Sequence, residues 1–261
     1  MVKKRLIGVV TVKEGWAVQS FGFGRYLPLG KPECIVENLD RWGADEIFVQ
    51  LIDRSVTNLG PDYKLLKKLA GLALGTPLIY GGGIRTVEEG VKVIQSGADR
   101  ITVDALLHDD LSQVVGLSNK LGAQAVIASM PITKRLNSIE WLDYRYNTLT
   151  PIGEKLTNAI EQNVISEILL IDNQHEGSPA GFDCALIDLF PYKKVSLIAF
   201  GGISTAKQIE DILARPNVAA VSMGNFLNYR EHAIQKFKEA LESPSLRSST
   251  YTAKYSSLTN V

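Results

Sequence analysis

The chain has 261 residues, 45% of them apolar, and its 28 basic and 28 acidic side chains cancel to a formal net charge of zero. That balance argues against a nucleic-acid surface driven by counterion release. With no apolar run of about 18 residues, no helix is expected to cross a membrane.

The length allows two small domains or one barrel. The start, Met-Val-Lys-Lys-Arg, is basic, but the apolar stretch 6–12 runs straight into Lys13 and Glu14. It is too short and too soon charged for a secretory signal. Cys34 and Cys184 have no metal or redox spacing and read as buried thiols in a reducing cytoplasm. No cofactor and no metal are implied.

In chain order, residues 5–12 form a β-branched apolar run, which predicts a buried strand. Residues 13–31 read as a long loop rich in glycine and proline, carrying Trp16, Phe21, Phe23, Arg25 and Tyr26. Loops of that length in compact domains are usually functional. The aromatic residues there suit either a ligand clamp or a pin on the rim. A helix follows over 32–42, with Pro32 in its first turn and Gly43 as its stop.

The alternation then repeats. Strands are predicted over 46–52, 77–80, 100–103, 124–130, 167–172, 195–200 and 219–222. Helices are predicted over 63–74, 86–96, 109–121, 150–162, 185–190, 205–214 and 229–241. Residues 131–149 stand outside this rhythm and read as an extra hairpin. The expected domain is 1–243, followed by a polar tail over 244–261 that is poorly ordered or packs late on the outside.

Strands alternating with helices imply a parallel sheet. Eight such units in a chain of this length predict an α/β architecture closed as a (β/α)8 TIM barrel. Two stretches stand out within it: Tyr80-Gly81-Gly82-Gly83-Ile84 and Phe200-Gly201-Gly202-Ile203. Each is a strand end, a glycine turn and a helix start capped by Thr86 or Thr205. Such turns let backbone N–H groups approach an anion at the positive end of a helix. Their recurrence suggests two similar halves and a grip on phosphate at two points.

An ordered set of segments carries a resemblance. Lys-Arg-Leu-Ile near the start, Gly-Ala-Asp-Glu-Ile at 43–47, Gly-Gly-Gly-Ile at 81–84, Gly-Ala-Asp-Arg-Ile at 97–101, Ser-Glu-Ile-Leu-Leu at 166–170 and Glu-Gly-Ser-Pro-Ala-Gly-Phe-Asp at 176–183 belong to it. Together they resemble the cyclase subunit of imidazole glycerol phosphate synthase, over nearly the whole chain to about residue 241. The resemblance implies a ribulose-phosphate-binding barrel. It implies a glutaminase partner docked on the bottom, ammonia crossing the barrel, and a phosphorylated ligand at the top.

It also marks departures. The positions of the family's two acid–base aspartates hold Thr11 and Pro131. Neither exchanges a proton near neutrality, and each acid–base group contributes about 10²–10⁴-fold to rate. After the fourth barrel strand the family's Asn-Thr pair is Asp104-Ala105, a carboxylate that would repel phosphate. The phosphate positions carried over are Gly83, Gly177, Gly201, Gly202 and Gly224. The family's ring of charges at the ammonia entrance maps to Arg5, Glu46, Arg100 and Glu167, with Asp99 facing the partner.

The available replacement acids at strand C-termini are Asp53, Asp104 and Glu176, with Asp172 also placed there and His175 beside Glu176 as a possible proton carrier. His108 and His232 read as surface helix residues. Three functions follow. The first is a divergent paralogue that takes ammonia from a glutaminase for amination or amidination of a non-histidine acceptor such as a surface sugar. The second is the family cyclase itself with relocated acids. The third is a catalytically silent phosphate-binding scaffold.

Overall fold

The computed structural model describes residues 3–229 and 232–251. In chain order its strands are β1 (Arg5–Lys13), β2 (Trp16–Phe21), β3 (Arg25–Gly30), β4 (Glu46–Leu51), β5 (Leu78–Gly81), β6 (Arg100–Val103), β7 (Val126–Arg135), β8 (Ser138–Asp143), β9 (Thr148–Pro151), β10 (Glu167–Asp172), β11 (Ser196–Phe200) and β12 (Val218–Met223). The helices are α1 (Pro32–Arg41), α2 (Tyr63–Ala70), α3 (Val87–Gln95), α4 (Ala105–Asp109), α5 (Leu111–Leu121), α6 (Glu154–Glu161), α7 (Ala185–Leu189), α8 (Ala206–Leu213) and α9 (Ala233–Leu241). None is long and apolar enough to cross a membrane.

Strands β10, β11, β12, β1, β4, β5, β6 and β7 follow one another side by side, all parallel, and β10 also pairs with β7. The sheet therefore closes on itself as a (β/α)8 barrel, the architecture that the alternation predicts. Successive side chains on a strand point to opposite faces. In β1 this puts Ile7 and Val9 inside the barrel and Leu6 and Val10 outside, against the helices. Gly8 shares the outer face, where a Cβ would come within 2.8 Å of Leu39.

The outer shell is the larger core. Helices present one apolar stripe to the strands, as Leu65, Leu66 and Leu69 do in α2. The inner core is a compact plug of ten buried apolar residues, among them Phe48, Ile79, Ile127, Leu169 and Phe200, with Phe23 packed on it.

Two segments depart from expectation. Residues 13–31 are not a loop: β2 and β3 form an antiparallel ribbon continuing from β1. The turn at Glu14 and Gly15 has φ of +50° and +80°, the primed geometry whose twist matches that of the flanking strands. Residues 131–151 make more than a hairpin. β7 runs on past the barrel rim, and β8 and β9 add two antiparallel strands to it. Thr150 and Pro151 belong to β9 rather than to the helix expected over 150–162, and α6 starts at Glu154. Pro151 suits β9 because an edge strand tolerates a missing donor.

Smaller differences are local. The helix expected over 109–121 is broken at Asp110, whose carboxylate accepts the Ser112 N–H at 2.9 Å and starts α5 afresh. The expected helix over 229–241 begins at Ala233, and residues 230–231 lie outside the described residues. Cys34 is exposed and Cys184 half-buried, and both are free thiols. The buried reading failed for Cys34 because α1 buries Pro32, Val36 and Leu39, a stripe out of phase with position 34.

Residues 245–246 lie along the start of β1, and Ser249, Thr250 and Tyr251 bond to Glu239 and Gln235 of α9. Leu246 is buried and pairs with Lys4, and the Lys4 N–H donates to the Ser245 carbonyl at 2.7 Å. The rest of the expected tail, 252–261, lies outside the described residues.

The last helix is tied to the first strands by a buried ion pair. Lys238 Nζ meets Asp45 Oδ1 at 2.8 Å, with side chains 3% and 4% exposed. Asp45 Oδ2 accepts the Leu6 N–H at 2.8 Å, and Lys238 also donates to the Gly43 carbonyl at 2.8 Å. Asp45→Ala would strand a buried ammonium and a strand N–H together. Loss of one member of such a pair costs about 3–5 kcal/mol. A urea titration should show a markedly lower midpoint for Asp45→Ala with an unchanged slope; a midpoint within error of wild type would remove the pair's role in closing the barrel.

Candidate functional site

Both glycine turns sit at the C-terminal rim, where the parallel strands end. Gly82 and Gly83 have φ of +128° and +76°, and Gly201 and Gly202 have +117° and +71°. These are left-handed values that favour glycine. A Cβ on Gly83 would lie 2.6 Å from the Leu59 carbonyl oxygen, and one on Gly202 2.8 Å from that of His175. The two halves therefore repeat the same backbone device. Each turn floors a cavity, of about 280 Å³ over the first and about 270 Å³ over the second.

The second cavity gathers Gly177, Gly201, Gly202 and Gly224 with Thr11 and Glu176. Beside it, Thr205 caps α8: its hydroxyl accepts the Gln208 N–H at 3.3 Å, while Gln208 Oε1 accepts the N–H groups of Ser204 (2.9 Å) and Thr205 (3.2 Å). All these caps are uncharged, and the first turn of α8 holds no acidic residue. The positive end of the helix is left unneutralised beside the cavity.

Glu176 is 5% exposed. Its Oε2 accepts from the Ser20 hydroxyl and the Phe23 N–H, each at 3.0 Å, and its carbonyl accepts the Gly22 N–H at 2.9 Å. Burial pushes its carboxyl upward against the pull of these bonds. The residue fastens the β2–β3 tip between the cavities: Phe21 lines the second, Gly22 and Phe23 the first.

The first cavity differs in charge. It is lined by Gly82, Gly83, Gln50, Asp104, Pro131 and Tyr144, among others, and among the described residues no Lys or Arg lines either cavity. At the start of α3 the Thr86 hydroxyl accepts the Glu89 N–H (3.2 Å), and the Glu89 carboxylate turns back to accept the Arg85 N–H (2.8 Å). Glu88 joins Glu89 in that first turn. The Arg85 guanidinium also pairs with Glu89 at 2.9 Å, so the start of α3 faces an ion pair.

Asp104 stands at the N-cap of α4, its side chain 10% exposed. Its Oδ1 faces His108 Nε2 at 3.5 Å, and neither atom makes a hydrogen bond among the described residues. The His108 ring lies over Trp141 with centroids 3.8 Å apart. Burial raises the Asp104 carboxyl well above the usual carboxylate range; Asp143 adds to this and Arg145 opposes it. Burial lowers His108. Arg145 itself is held by Asp109 (2.5 Å) and Asp143 (2.8 Å).

At the opposite end of the barrel, inward parity brings Arg5, Glu46, Arg100 and Glu167 together. Arg5 meets Glu46 at 3.3 Å and also pairs with Glu167; Arg100 meets Glu46 at 3.1 Å and Glu167 at 2.6 Å. Each arginine bridges both glutamates, so the four charges form a closed ring beneath the apolar plug. Asp99, on the exposed face beside it, accepts the Leu78 N–H at 2.7 Å.

The remaining candidates are placed as follows. Asp53 lines neither cavity, and its Oδ2 accepts the Glu14 N–H at 2.8 Å, which holds the β1–β2 turn. Asp172 is buried and its Oδ2 lies 2.7 Å from His175 Nδ1, outside both linings. His108 is not the surface residue that helical position suggested, since β8 covers it with Trp141. His232 stands at the N-cap of α9. Gln50 and Ser222 escaped sequence reasoning: Gln50 lines the first cavity and Ser222 the second, and each has a buried side-chain oxygen without a hydrogen-bond partner among the described residues. Strand parity is the signal that finds them.

Because the Asp104 carboxyl is raised in the folded chain, its contribution to stability is fully present below the unfolded value and is lost as pH rises through the folded one. Asp104→Asn should therefore raise the urea midpoint at about pH 7, with the gain shrinking toward about pH 4. Equal gains at both values would remove this account of Asp104.

Comparison with known proteins gives the family. The family model "Histidine biosynthesis protein" matches residues 5–233. A Vibrio vulnificus protein provisionally named imidazole glycerol phosphate synthase subunit hisF2 is 29% identical over 248 residues, covering 94% of this chain and 91% of the relative. A Pseudomonas aeruginosa protein with the same provisional name is 28% identical over 236 residues, covering 89% and 94%. The imidazole glycerol phosphate synthase subunit HisF of Streptococcus gordonii is 24% identical over 250 residues, covering 94% and 98%. With the family model spanning almost the whole barrel, the chain belongs to the histidine biosynthesis protein family as a divergent paralogue of the cyclase subunit.

Proposed function

We propose that this chain is the synthase-side subunit of a glutamine amidotransferase pair. It receives ammonia at the base of the barrel from a glutaminase and serves the amination or amidination of an acceptor outside histidine biosynthesis. The observation that carries this reading is the contrast between the two ends. The charge ring at the base is complete, with every member paired to two others. At the top, Thr11 and Pro131 open into the two cavities where the family's acids would stand.

The physical logic is one of selective passage. Moving an ion into an apolar interior is far more costly than moving a neutral molecule. The ten-residue plug above the ring therefore favours ammonia over ammonium. With ring and plug both closed in the free chain, passage requires them to move when the glutaminase docks. Asp99 lies beside the ring on the face such a partner would cover. At the top, the second cavity holds a phosphate of the ligand through Gly177, Gly201, Gly202 and Gly224 and the start of α8. Of the replacement acids, Asp104 lines the first cavity and Glu176 the second, while Asp53 lines neither.

Affinity-tagged full-length chain should retain a glutaminase from its native cells, and absence of any glutaminase would refute the pairing. With the pair in hand, Arg100→Ala should abolish transfer of labelled amide nitrogen from glutamine while added ammonium salts still support product. Equal loss of both routes would show damage rather than gating. Expression in a histidine auxotroph lacking the cyclase should give no growth, since both acid–base groups are absent; robust growth would defeat the non-histidine reading.

A further inference from the structure

The second cavity sets a charge problem. Among the described residues the only charged side chain lining it is an acid, Glu176. Phosphate held there by backbone N–H groups alone would meet that carboxyl with no cation in the lining to balance it. A balancing charge has to come from close by, since exposed charges are screened beyond about 8 Å at physiological ionic strength. The β2–β3 ribbon carries such a charge.

Phe21 ends β2, Arg25 begins β3, and the two residues are paired across the ribbon. Side chains of directly opposed residues in an antiparallel pair project from the same face. Phe21 lines the second cavity, so Arg25 is on that side of the ribbon. Its guanidinium carbon lies 4.6 Å from the centre of the Phe21 ring. Arg25 is exposed and meets no carboxylate among the described residues. Arg54, Arg85 and Arg145, by contrast, are taken up by Asp62 (3.0 Å), Glu89 (2.9 Å) and Asp143 (2.8 Å). A guanidinium over an aromatic face still presents its fork of N–H donors at its edges. The stack therefore places the cation without consuming its donors. The platform beneath it is fixed against the cavity: a Cβ on Gly177 would come 2.7 Å from the Phe21 Cα.

We infer that Arg25 is the cation of this site: its guanidinium, carried on the face of Phe21, binds the phosphate held over Gly177 and Gly202. Phe21 is then a positioning residue for Arg25. This rests on the reading that the second cavity binds a phosphorylated ligand, and it names the side chain that selects for charge. Backbone N–H groups serve neutral and anionic acceptors alike, whereas a guanidinium favours an anion through paired, charge-assisted bonds.

Amide NMR of the isotope-labelled full chain, titrated with inorganic phosphate at low ionic strength, provides the test. In the wild type, phosphate should move the resonances of Gly177 and Gly202 saturably. Arg25→Gln should weaken that response by about tenfold or more and leave the urea midpoint unchanged. Arg25→Lys should keep part of the affinity, because the charge stays and the fork is lost. Phe21→Leu should weaken binding on its own and add nothing in the Arg25→Gln background; full additivity of the two would refute the platform role. Added sodium chloride should narrow the gap between wild type and Arg25→Gln. An Arg25→Gln affinity equal to wild type within error would overturn the inference and leave the phosphate reading of the cavity standing. No saturable movement of either glycine in the wild type would overturn both.

Discussion

Strand parity inside a closed barrel is the constraint on which everything else depends. Once β10 pairs with β7, every second residue of each strand must point inward. That one rule sends Arg5, Ile7, Val9 and Thr11 up the same interior column, from charged base through apolar plug to open cavity. The same column repeats as Glu46, Phe48 and Gln50 in β4. Arg100, Thr102 and Asp104 make another, in and just past β6. Ion ring, dry middle and polar top are thus three layers of one pattern, and a slip of one residue in any strand would exchange its interior column for residues meant for the helices.

The internal repeat shows what divergence does to a duplicated device. The two turns keep their glycines because backbone geometry demands them, with matching φ values in both halves. The neighbouring side chains are free to differ, and they do. Glu88 and Glu89 flank one helix start where the other has Lys207 and Gln208. A carboxyl lines one cavity, whereas Glu176, the only charged residue lining the other among the described residues, is turned to the β2–β3 ribbon.

Much of this was legible in the sequence. The βα alternation, with β-branched runs ending at glycine, gives the barrel, and the recurring glycine turn gives the two halves. The ring members were found through resemblance, and only the fold turns four scattered charges into mutual partners. The β2–β3 ribbon was not legible because Glu14-Gly15 is a weaker turn signal than Asn-Gly or Asp-Gly, and glycines at 22, 24 and 30 dilute the alternation. Nor was the setting of His108, which is made by Trp141 from a strand 33 residues further on. Asp53 and Glu176 looked alike as acids at loop starts. Tertiary bonding separates them into a turn holder and a ribbon fastener.

The Glu176 fastening has a kinetic side. Lifting the ribbon tip would expose a buried carboxyl stripped of two donors and break the Gly22 bond in the same motion, so these bonds fail together or not at all. The ribbon tip between the chambers is thus held at three points by one residue. A molecule long enough to reach both chambers has to straddle Phe23, whose ring packs on the barrel interior, and the span between its two ends is measured by the protein before any chemistry begins.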